Sequence, residues 1–125
     1  MMGLCLLALF QQLIHLIMIN DNLKQHIKSL CINKTTEVCG FVVFDGIEQF
    51  FIELDNKHPE SNNFFLISPI DYLQIKNKFT IKYLFHNHNN ADSFSESDIH
   101  YQKFHCLDML IYNINTDNWS EMKCK

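Results

Sequence analysis

Leu84-Phe85-His86-Asn87-His88-Asn89-Asn90-Ala91-Asp92-Ser93-Phe94-Ser95-Glu96-Ser97-Asp98 is the stretch on which the reading of this chain turns. The apolar run Ile81 to Phe85 that feeds it predicts a strand, continued to His88. Side chains alternate faces along a strand, so His86 and His88 point the same way. Two imidazoles on one side of a strand end can grip one metal ion. A short polar loop follows, and Ser95 to Phe104 predicts a helix with Asp98 in its opening turn. Asp98 then offers a third ligand from a second rigid element. Three protein ligands with one position left for water is the pattern of a catalytic zinc site, not of a closed structural one.

The same residues also carry a purely structural reading. Ser95-x-x-Asp98 is a capping box, with Ser95 as N-cap and Asp98 near the third helical position. The two readings coexist, because an Asp has two oxygens. His-x-His alone is weak evidence in a chain with seven His. The conjunction is what informs: two His ending a strand, a polar loop, then Ser and Asp opening a helix. Far upstream, Glu37 stands at the entry of Glu37-Val38-Cys39-Gly40-Phe41. A water-activating site needs such a carboxylate near the metal but not on it.

The rest of the chain supplies a frame for these residues. Leu4 to Ile19 is strongly apolar but holds Gln11, Gln12 and His15 on one helical stripe with Ala8. Residues 1–19 therefore read as an apolar N-terminal extension or a helix with a narrow wet face. A weak membrane anchor is the runner-up, since the run falls short of the ~20 apolar residues of a span. A third reading makes Met18 the true start. Asn20 and Asp21 are cap-type residues, and Leu23, Ile27, Leu30 and Cys31 recur at helical spacing after them. Val38 to Phe44 and Ile47 to Leu54 predict two strands joined by a tight turn at Asp45-Gly46. Phe64 to Ile67 reads as a short strand. Ser68-Pro69 opens a helix ending near Lys78, with Ser68 as N-cap. Leu107 to Ile114 predicts a buried strand, and Trp119 to Cys124 a last short one after a polar turn. Strands and helices mix without strict alternation, so the expected class is α+β, a mixed or antiparallel sheet flanked by helices.

Composition bounds the function. A chain of 125 residues, 47% of them apolar with eleven Phe, suits one domain with one core, here residues 20–125. A formal charge of −4 without a basic stripe argues against nucleic acid as partner. The five Cys (Cys5, Cys31, Cys39, Cys106, Cys124) include no C-x-x-C pair and read as reduced thiols packed as small hydrophobes, as in a cytosolic chain. Cys39, beside Glu37, reads as core. His15 and His26 read as helix surface and His58 as loop; His100 and His105 lie close enough in sequence to stand behind the ligands, with surface or packing roles ahead of that.

Glu37, His86, Asn87, His88, Ser95 and Asp98 together resemble the JAB/MPN (JAMM) metalloprotease domain. Its motif is a Glu at a strand start, often followed by Cys-Gly, then His-x-His, seven residues, Ser, two residues, Asp. The likeness covers about residues 20–124 and is nearest to the compact prokaryotic and phage-type members. Here six residues separate His88 from Ser95, Asn89 stands where Pro is usual, and Asn87 where Ser or Thr is common. A different course of the shortened loop would make Asp92 the substitute ligand.

The resemblance implies a three-layer fold like that of the cytidine deaminases. It also implies Zn2+ bound by His86, His88 and Asp98, Glu37 as general base and Ser95 as oxyanion donor. The implied activity is hydrolysis of a peptide or isopeptide bond in a peptide or protein substrate, with phage tail assembly and cell-wall processing among the settings. The implied place is the host cytoplasm, or the virion for a phage-encoded protein. The competing expectation is a JAB-like scaffold or virion assembly module without turnover. Oligomeric state is not legible.

Overall fold

A computed structural model describes residues 19–60, 65–88 and 94–124. The N-terminal apolar run up to Met18 and the alternative ligand Asp92 lie outside them. Among the described residues no helix is long and apolar enough to cross a membrane.

The class is α+β, as expected. In chain order the elements are α1 (Asp21–Cys31), β1 (Cys39–Phe44), β2 (Gln49–Leu54), α2 (Pro69–Lys78), β3 (Thr80–His88), α3 (Glu96–His105), β4 (Met109–Asn113) and β5 (Asn118–Met122). The strands form one mixed sheet in the order β2-β1-β3-β4-β5. Only β3 and β4 pair in parallel; the other neighbours are antiparallel.

The period-2 alternation of the strands separates two cores, one on each face. On one face Val42, Tyr83, Phe85, Leu110 and Tyr112 pack with Leu23, Ile27 and Cys31 of α1. On the other Cys39, Phe41, Val43, Leu84 and Met109 pack with Ile75 of α2, and half-buried Tyr72 and Tyr101 join from α2 and α3. The layers are therefore α1, the sheet, and α2 with α3. α1 begins as its sequence predicts, with the Asn20 side chain accepting from the Leu23 amide at 2.8 Å. α2 has Pro69 in its first turn, but the Ser68 side chain makes no cap bond.

Several boundaries differ from the sequence reading, each for a local reason. The first hairpin turns at Gly46-Ile47, one residue later than Asp45-Gly46. Asp45 flanks the turn instead, its Oδ1 accepting from the Ile47 and Glu48 amides at 2.7 and 2.9 Å, while Gly46 takes φ 102°. Residues 65–67 are not a strand. Their backbone is tied to the 56–57 loop: the Leu66 amide donates to Asn56 Oδ1 at 3.0 Å, and the Lys57 amide to the Leu66 carbonyl at 2.9 Å. β4 and β5 are shorter than predicted, and Cys124 lies beyond the last strand.

The thiols divide. Cys31 and Cys39 are free and buried, as read from the sequence. Cys106 and Cys124 instead form a disulfide, with Cα atoms 5.6 Å apart across 18 positions. The sequence reading missed it because the partners lie at the end of α3 and after β5, which only the sheet order brings together. Closing a loop of that size contributes about 3 kcal/mol, mainly by restricting the unfolded chain.

Gly40 marks a close approach inside the sheet. A Cβ there would strike the Ile52 carbonyl on β2 and lie 2.9 Å from the Phe51 ring. We expect Gly40→Ala to lose about 2 kcal/mol or more, as overpacked core positions do, in urea unfolding followed by circular dichroism. Strand β2 would have to shift to admit the methyl group.

Candidate metal centre

The register between β1 and β3 places the first members of the site. Cys39 pairs with His86 in an antiparallel ladder, which sets Val38 opposite Asn87 and Glu37 opposite His88. Directly paired residues share a face. Glu37, His86 and His88 thus project from the side of the sheet that carries α2 and α3. Their ligand atoms all lie within 4.8 Å of one another, a group able to hold a metal ion.

Asn87 locks this register. Its side chain points to the opposite face, where Oδ1 accepts from the Val38 amide at 2.5 Å, and its own amide donates to the Val38 carbonyl at 3.1 Å. On the other side, Asn56 Nδ2 donates to the Glu37 carbonyl at 3.0 Å. The backbone that carries Glu37 is therefore held from both flanks. The sequence reading has Asn87 only as the middle residue of the motif, without a role, and Asn56 only as part of a polar loop. The middle position of His-x-His had a legible signal: its side chain must face the opposite core, where a polar group needs a partner.

α3 brings Asp98. The capping box forms in full: Ser95 Oγ accepts from the Asp98 amide at 3.1 Å, and Asp98 Oδ2 from the Ser95 amide at 2.9 Å. The carboxylate also reaches the histidines. Asp98 Oδ1 lies 3.1 Å from His86 Nε2, and Oδ2 lies 3.2 Å from His88 Nε2. The two Nε2 atoms are 2.8 Å apart. Ser95 itself is exposed, and its Oγ also lies 3.0 Å from Ser97 Oγ.

The surroundings are dry. His86 is fully buried under Phe65, whose ring stacks on it at 4.3 Å between centroids and 26° between planes. Phe65 was read from the sequence only as part of a strand. Glu37 Oε2 and His86 Nδ1 are buried without a hydrogen-bond partner. Beyond Glu37 opens a polar pocket of about 350 Å³, lined by Lys34, Thr36, Glu53, Asp55 and Lys57 among others.

The remaining histidines follow the bland readings where they are described. His26 and His100 are exposed, and His58 Nδ1 accepts from the Glu60 amide in its loop. His105 packs among Tyr72, Tyr101 and Phe104.

Electrostatics follow from this burial. Desolvation pushes the Glu37 carboxyl up to about 7; the charge of Asp98 adds to that and that of His88 opposes it. Burial holds His86 below the ordinary imidazole value, against the pull of Asp98. Burial would raise Asp98 too, but hydrogen bonds from His86, His88 and the Ser95 amide outweigh it and hold this carboxyl below the usual range. Two imidazole nitrogens and a carboxylate that turns one oxygen to each form a donor set able to hold a metal ion.

A scan against protein-family models and a search of curated proteins each returned no match for this chain.

The raised Glu37 value has a thermodynamic sign. A carboxyl whose folded value exceeds its unfolded one adds stability below the unfolded value, and that stability is lost as pH rises through the folded one. The metal-free protein therefore loses Glu37's contribution between about pH 4.5 and 7. We expect Glu37→Gln to stabilise the chelator-treated protein at pH 8 by roughly 1–3 kcal/mol, the scale of a buried unpaired polar group. At pH 4 the variant and the parent should unfold at the same urea concentration. Asn87→Ala should act in the other direction at both pH values, by a similar amount, because the Val38 amide is left buried and unpaired.

Proposed function

We propose that this chain is a zinc-dependent peptidase or isopeptidase whose metal is held by His86, His88 and Asp98 and whose general base is Glu37. The observation that carries this reading is the spacing of the four side chains. Zinc bonds of 2.0–2.2 Å in tetrahedral geometry set neighbouring ligand atoms about 3.3 Å apart. The contacts among His86, His88 and Asp98 run from 2.8 to 3.2 Å, close to that spacing. Glu37 groups with the two histidines, its ligand atom within 4.8 Å of theirs, and we assign it to a water beside the ion.

When bound, zinc supplies Lewis acidity, polarising a carbonyl and bringing the pKa of a water toward ~7. The protein's own residues do the rest. Asp98 and the two imidazoles are pre-set by the capping box and the strand, so little ordering is needed on loading. Glu37 takes a proton from the attacking water and returns it to the leaving amine. Its held backbone and buried carboxyl suit a group that must exchange protons near neutrality. The Ser95 hydroxyl accepts from the Asp98 amide and can turn its own proton from Ser97 Oγ toward the site. We assign it to the developing oxyanion, a role worth about 3 kcal/mol for one donor. The partner is a peptide or protein substrate that reaches the metal across the polar pocket beside Glu37.

Elemental analysis of protein purified without chelator should find about one zinc per chain. Its absence after loading and dialysis would leave a scaffold without turnover as the surviving reading. Glu37→Gln should keep the zinc and lose hydrolysis of an isopeptide reporter, whereas His88→Ala should lose both. Ser95→Ala should lower kcat by on the order of 10²-fold and, as a lost N-cap, reduce stability by about 1 kcal/mol. Undiminished cleavage by Glu37→Gln would remove the base assignment.

A further inference from the structure

The helix that brings Asp98 to the site is held in an unusual way. α1 inserts Leu23, Ile27 and Cys31 into the core. The buried residues of α3 are both polar, Asp98 and Gln102. Ile99 and Phe104 are 38% and 81% exposed, and within the helix only half-buried Tyr101 joins the apolar cluster beneath. Burial of apolar surface therefore anchors α3 weakly.

Specific bonds along one stripe replace it. Asp98, Gln102 and Cys106 follow one another at four-residue spacing, which keeps them on the same side of the helix. Asp98 meets His86 and His88. Gln102 Nε2 donates to the Met122 carbonyl at 2.9 Å. Cys106, the left-handed C-cap of the helix, is bonded to Cys124. Cys124 is fixed in turn, its amide donating to Asp108 Oδ1 at 2.8 Å. The far end of α3 is thus tied to the tail after β5 by one covalent bond and to the last residue of β5 by one neutral hydrogen bond.

We propose that the Cys106–Cys124 disulfide is a redox latch on the metal site, holding α3 and with it Asp98 against the two histidines of β3, so that reducing it weakens metal binding. This inference rests on the metal-site reading above. A dithiol supplies the two electrons and two protons. One of its thiolates attacks a sulfur of the bond, and its second thiol resolves the mixed disulfide. Cys106 and Cys124 leave as thiols and the reductant as its own disulfide. With the bond open, that end of the helix keeps the grip of Gln102 on Met122 and the packing of His105 on Tyr72 but no covalent tie to the tail, and Asp98 is presented by a looser element.

The test compares the oxidised protein, the same protein reduced by a phosphine that does not compete for zinc as dithiols do, and the double variant Cys106→Ser, Cys124→Ser. Zinc affinity is read by competition with a chromophoric chelator, and amide hydrogen exchange is followed in α3 and α1. Reduction and the double variant should each weaken zinc at least tenfold, the range seen when support behind a ligand is lost. They should speed exchange in α3 while leaving α1 unchanged, and reoxidation should restore both. Should the variant not fold, the reduced parent decides alone. Unchanged exchange in α3 overturns the latch, as does faster exchange with zinc affinity unaltered. Recovery of Cys106 and Cys124 as free thiols from air-exposed protein overturns it too. If no form binds zinc, the metal reading fails, and the latch stands or falls on α3 exchange.

Discussion

The pairing of Val38 with Asn87 fixes more of this molecule than any other contact. Two hydrogen bonds between them, one through the Asn87 side chain and one through its backbone, set the register in which β1 runs against β3. A one-residue slip would turn Glu37 to the other side of the sheet from His86 and His88. The residue between the two histidines is therefore a structural partner of the strand that carries Glu37. It acts from the opposite core, and buried on both sides it leaves the ladder little freedom to shift.

From that register follows an unusual local charge balance. Glu37 and Asp98 lie at the same buried cluster yet are pushed in opposite directions, Glu37 up by desolvation and Asp98 down by its donors. Environments that drive two acids apart are a mark of functional sites, because one stays ionised while the other can carry a proton near neutrality. The expense falls on the fold. A carboxyl kept in a dry place with one oxygen unpartnered is tolerated where something else compensates, and a cation between the imidazoles would do so.

Much of the architecture was legible in the chain, because its signals are local. Asn20 announced α1, Ser95 and Asp98 announced the capping box, and apolar runs marked β1 and β3. His86 and His88 could be placed on one face from strand period alone. What stayed hidden depends on tertiary neighbours. Residues 65–67 have the composition of a strand, but their hydrogen bonds go to Asn56 and Lys57, and Phe65 is spent on covering His86. Cys106 and Cys124 looked like two more packed thiols until the sheet order brought the end of α3 beside the tail. The resemblance to a JAMM domain supplied the residue roles; the fold brings together a Glu-His-His group with Asp98 against it.

The sheet is antiparallel except between β3 and β4. Parallel neighbours cannot be joined by a hairpin; the chain must travel the length of the sheet and return before the second strand can pair. α3 makes that return journey, and Asp98 sits in its first turn, just past the end of β3. The last acid therefore arrives as part of the crossover that completes the sheet, so topology itself couples finishing the fold to finishing the cluster. Lengthening or permuting the chain between residues 89 and 95 would alter both at once, so the cluster and the crossover cannot be changed independently.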